Sequence, residues 1–189
     1  MIENLIPKMY RHIRRKVFRN PNGYESSRII NRIISRSHDK NDRIALMDFK
    51  ISVLREFGEL CDIKESVYEI ISESPFSPET WIHLIIFFRD DVGDGNNAIN
   101  ACDISIAISL MDGNFIIQCL TEKVRTAIHF GDVRLAVETI ERLIIHRRKP
   151  NSLDEIYQLD FLNHPNASLI PADVSNRYIA HVKAHRNSY

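Results

Sequence analysis

Along most of this chain apolar residues return at positions i, i+3, i+4 and i+7, the spacing of a helix with one buried face. The first such stretch covers residues 2–19, where Ile2, Ile6, Met9, Ile13 and Val17 share a side. Pro7 stands inside it and suits a first helical turn, and Asn20-Pro21-Asn22-Gly23 ends it. Further helices are predicted over 25–35, 42–60, 63–73, 78–89, 97–111, 115–130 and 133–147. Ser77-Pro78-Glu79-Thr80 reads as a capped, proline-led helix start. Polar breaks fall at 37–42, 90–96, 112–114 and Gly131-Asp132, and connections this short force neighbouring helices to run antiparallel. Residues 151–171 lose the period and are expected to wrap over the last hairpin. A final helix, 172–186, carries Val174, Tyr178, Ile179 and Val182 on one side. No stretch alternates as a strand does. The pattern thus separates a basic amphipathic helix (1–22), a set of helical repeats (24–150) and an irregular segment with a closing helix (151–189).

The middle section repeats. Aligned on a small residue followed by Asp, three turns appear at Cys61-Asp62, Gly93-Asp94 and Gly131-Asp132. Five residues beyond each turn's first residue stand Ser66, Ala98 and Ala136, and nine beyond stand Ile70, Cys102 and Ile140. Seven before it stand Leu54, Ile86 and Val124. A small residue at the first of these places lets two helices approach closely, and the apolar residue one turn later seals the same face. This arrangement resembles the tetratricopeptide repeat (TPR), a pair of antiparallel helices of about 34 residues. The match is best from His129-Phe130-Gly131-Asp132 to Ala136, Ile140 and Leu143, and Pro78 fits the proline between repeats. The chain departs from the family in carrying Leu54, Ile86 and Val124 in mid-helix, Trp81 one place out of register, and Glu73 at the end of a second helix.

What the resemblance implies is an all-α fold: a short right-handed α-solenoid of helix hairpins with N- and C-terminal capping helices. It also implies a non-catalytic scaffold or adaptor that binds a peptide or protein surface along the concave face lined by its first helices, here 78–89 and 115–130. The exposed candidates on those two helices are His83, Arg89, Gln118, Glu122 and Arg125, which suit hydrogen bonding or pairing with an extended segment.

Charge adds a second candidate surface. Net charge is zero, yet residues 1–50 hold 12 Lys and Arg against 5 Asp and Glu, leaving 13 against 20 in the remainder. Lys8, Arg11, Arg14, Arg15, Lys16 and Arg19 therefore form a basic patch beside an aliphatic stripe. Such a helix suits nucleic-acid phosphates, an anionic membrane surface, or the capping of a repeat stack by its apolar side. A regulatory subunit of an enzyme is a further alternative, and an open repeat end would allow homodimerisation. Arg142, His146, Arg147, Arg148 and Lys149 complement a helix C-terminus.

Other chemistry finds little footing. Asp90-Asp91-Val92-Gly93-Asp94-Gly95 invites a calcium-loop reading, but Val92 stands where an oxygen ligand is needed and Ala101 where a Glu is needed. His181 and His185 share a helix face without a third ligand at metal-site spacing. No nucleophile elbow, phosphate loop or dinucleotide fingerprint occurs, so neither enzyme activity, a cofactor nor a metal is expected. Cys61, Cys102 and Cys119 lack paired spacing and sit in apolar stretches, which points to a reducing, cytoplasmic setting. The apolar runs are too short for a membrane span.

Overall fold

The computed structural model describes residues 23–112, 115–146 and 159–186. The basic stretch from Lys8 to Arg19 and the cluster Arg147-Arg148-Lys149 lie outside them. Among the described residues the structure is all helical, and consecutive helices pack in pairs. The chain forms two compact units, one up to Pro75 and one from Phe76.

The first unit contains α1 (Gly23–Ile34), α2 (Lys40–Phe57) and α3 (Leu60–Glu73). Asp39 opens α2 by accepting the Asp42 N–H at 3.0 Å, which satisfies a donor that the first helical turn would otherwise leave orphaned. Ile30, Ile51, Leu54, Val67 and Ile70 are buried and form its core. Lys50 of α2 donates to Glu69 of α3 at 2.9 Å, and Arg43 pairs with Glu73 across the same hairpin. The break between α2 and α3 falls at Gly58-Glu59, not at Cys61-Asp62. Asp62 instead occupies the first turn of α3, where a negative charge meets the positive end of the helix dipole. Ser66 and Ile70 are buried as the repeat alignment requires.

The second unit begins with α4 (Pro78–Ile86) and continues through a π-helical turn, Phe87–Val92, into α5 (Gly95–Asp112), α6 (Ile116–His129) and α7 (Val133–Ile145). Two 3-10 turns, Asp160–Asn163 and Pro165–Leu169, lead to α8 (Ala172–Arg186). Helix α6 packs against both α4 and α5, so the two hairpins stack, and α8 covers α7. The polar loop expected from Asp90 starts only at Gly93, because the helix runs on through the π turn. Gly93 then turns left-handed (φ 76°), and the Asp94 N–H reaches back to the Phe88 carbonyl at 2.7 Å. That closure spans one residue more than the Schellman motif does. The motif itself ends α6: with Gly131 at φ 74°, the Asp132 N–H bonds to the Ala127 carbonyl and the Gly131 N–H to the Ile128 carbonyl. Asp94 and Asp132 cap the next helices through the N–H groups of Asn97 and Leu135, each at 3.0 Å.

The small residues Ala98 and Ala136 are fully buried, as are Cys102, Ile140 and Val124. Val124, Ala136 and Ile140 share one core with Phe161, Val174, Tyr178 and Val182, so the C-terminal segment closes the second unit. Phe161 lies with its ring centroid 5.5 Å from that of Tyr178, and Asn166 donates to the Ile128 carbonyl at 3.0 Å. The expectation that this segment wraps over the last hairpin holds for its described part.

Two outcomes follow from these local structures. Cys102 and Cys119 are buried and Cys61 is exposed, and burial pushes the Cys102 thiol up to about 12. A colorimetric thiol titration near about pH 8 should count one reactive cysteine in the native chain and all three after unfolding, since only an accessible thiolate reacts. Gly131→Ala should lower stability in urea by about 1–2 kcal/mol, the cost of a Cβ in the left-handed region, although open space surrounds the site.

Candidate functional site

On the second unit, the π turn, α6 and the 160–165 segment enclose a cleft of about 390 Å³. Each wall has a local cause. The π turn carries Arg89 and Asp90 at the end of α4, α6 presents Arg125, Ile128 and His129 on one face, and the 3-10 turns supply Asp160, Phe161 and His164. Extra backbone in a π turn re-aims side chains relative to a regular helix, and such turns recur at functional sites.

Beneath the cleft lies Glu122 of α6, with its side chain 2% exposed. One carboxylate oxygen accepts from Arg89 Nη1 at 2.7 Å and the other from Arg125 Nη1 at 2.8 Å. Arg89 also grips Asp90 with Nε and Nη2 at 2.8 and 2.9 Å. The bonds and charges of Asp90 and Glu122 outweigh burial and hold the Arg89 guanidinium above its ordinary value. Arg125 extends the network to Asp160, whose Oδ2 lies 3.4 Å from Nη2. His164 turns its Nδ1 to the Asn166 N–H at 3.2 Å, and its ring lies 5.8 Å from that of His129.

Of the five candidates on α4 and α6, three meet here: Arg89, Glu122 and Arg125. Glu122 was expected on the surface, and the structure corrects that, because its helix position faces inward onto the two guanidiniums. His83 and Gln118 are half-buried and stand outside the cleft. Asp90, His129, Asp160 and His164 went unselected by sequence. Asp90 lay in the presumed loop and Asp160 in a segment without periodicity, so neither had a face that could be assigned.

A second recess, of about 550 Å³, lies between residues 93–96 and the end of α6. Its carboxylates, Asp94 and Asp132, already serve as helix caps. Phe130 crowds Gly95 there, so that a Cβ at Gly95 would sit 3.0 Å from the ring. Among the described residues no group of three or more His, Cys, Asp or Glu is placed to hold a metal ion, and no helix is long and apolar enough to cross a membrane.

Removing the shared carboxylate should be costly. Glu122→Gln leaves two guanidiniums without their buried counter-charge and is expected to lower unfolding stability by about 3–5 kcal/mol. Asp160→Asn, at an exposed pair, should cost about 1 kcal/mol or less. Urea denaturation of both variants beside the parent chain checks the contrast.

No protein-family model and no curated protein matches the chain. Among solved structures it is similar to the nearly identical TPR-like repeats of a Podosopora anserina protein named as a kinesin light chain, and to a single-substitution variant of it. Each likeness has a TM-score of 0.57 at 12% identity and covers 91% of this chain and 90% of that one. The chain therefore has a TPR-like fold of α-helical hairpin repeats.

Proposed function

We propose that this chain is a non-catalytic protein-interaction module that receives a segment of a partner protein in the cleft on its second unit. The observation that carries this reading is the cleft's position: it opens on the π turn that continues α4 and on the C-terminal end of α6, at the ends of the first helices of two stacked hairpins. Hairpin repeats of this kind hold peptides along their first helices, and a cleft at the ends of two such helices suits the same use. The buried Glu122 network supports it further, because a wall fixed by charge-assisted bonds is pre-organised and reduces the ordering cost of binding. Free cysteines fit a cytoplasmic setting.

A tagged pull-down from lysate of the source organism, divided into nuclease-treated and untreated halves, tests it. The expected result is one stoichiometric protein in both halves, lost with the double substitution His129→Ala and Asn163→Ala in the cleft. Glu138→Ala, on the exposed side of α7, should leave it in place. Loss of every partner after nuclease, together with loss on neutralising Arg14, Arg15 and Lys16, would overturn this reading and make the basic N-terminal stretch the working surface.

A further inference from the structure

We infer that the cleft selects a partner segment by a cationic side chain, Lys or Arg, inserted between Asp90 and Asp160. The inference rests on the reading of the cleft as a docking site and deepens it by naming what is docked. Among the described residues two arginines and three carboxylates meet there, a balance of one negative charge with the histidines counted as neutral. The exposures are unequal in a decisive way. Arg89 and Arg125 keep only 12% and 19% of their side-chain surface in solvent, whereas Asp90 and Asp160 keep 41% and 61%. An approaching group therefore meets carboxylate oxygens first.

The arginines are also engaged below the surface. Arg89 directs Nε and Nη2 to Asp90 and Nη1 to Glu122, and Arg125 directs Nη1 to Glu122. An acidic ligand would have to displace Asp90 or Asp160 from a guanidinium or sit beside their like charge, which is costly. A cation needs only to join Asp90 and Asp160, whose outer surfaces face the cleft, and partial exclusion of water strengthens that attraction. The remaining lining suits a long aliphatic stem: Ile128, Phe161 and Pro165 are apolar, and the imidazoles of His129 and His164 offer ring faces. A volume of about 390 Å³ admits one such side chain with part of its backbone.

The test is a backbone-amide NMR titration of the full chain with two capped pentapeptides, Gly-Leu-Arg-Leu-Gly and Gly-Leu-Glu-Leu-Gly. The arginine peptide should shift the amides of residues 89–91, 125–129 and 159–164 saturably, and the glutamate peptide should not. Asp160→Asn should weaken the arginine peptide by about threefold, as for one exposed ion pair, and rising salt should weaken it further. Asp160→Lys should abolish its binding, with circular dichroism showing the helices intact. Equal or stronger response to the glutamate peptide at the same amides overturns the charge preference and leaves the cleft as a docking site. Shifts elsewhere, or none with either peptide, overturn this inference. The fate of the docking reading is then decided by the pull-down with the cleft variant.

Discussion

A carboxylate shielded from water and shared by two guanidiniums is the constraint around which the second unit is arranged. Glu122 leaves α6 inward and meets Arg89 from the π turn and Arg125 from its own helix. Each ion alone would be expensive to bury, and only a geometry in which both oxygens are occupied makes the arrangement tolerable. The first hairpin is thereby tied to the second at a fixed offset, and the π turn is held at the end of α4. Arg125, set by the same carboxylate, then faces Asp160 and helps seat the C-terminal segment on α6.

Around that polar joint the packing is ordinary for helix on helix. Ala98 and Ala136 bring second helices close to first ones, Val124 and Ile140 are buried between them, and Tyr178 of α8 closes the same core. Burying one such aliphatic side chain is worth about 1.5–3 kcal/mol, so the core supplies the cohesion and the ion network supplies the register. Lys123, mostly buried along its stem, reaches Asp103 on α5 at 2.5 Å and so keeps its charge near the surface.

The helices were legible because an apolar period survives any partner: the predicted bounds at 78, 115, 133 and 172 fall within one residue of the structure. So was the repeat, whose aligned positions Ser66, Ala98 and Ala136 are all buried. What escaped depends on tertiary contact. A π turn has no side-chain signature in Phe87–Val92, and two aspartates followed by Gly93 read naturally as a loop. Glu122 reads as surface because a single sequence does not reveal two arginines, 33 residues before and three after, converging on it. In the first unit the helix boundary moved to Gly58 because Cys61-Asp62 suits a first helical turn as well as it suits a break.

The C-terminal segment has a consequence for the order in which the chain acquires its structure. Its contacts are made over long spans: Asp160 meets Arg125 and Asn166 meets Ile128 at separations of 35 and 38 residues. The hairpins close over far shorter loops, so their helices are able to form and pair while this segment is still unmade on the ribosome. Until it arrives, the flank of α6 and α7 that Phe161, Val174 and Tyr178 will cover stays open to water. Between synthesis of α7 and docking of α8 this apolar flank is therefore open to misassociation.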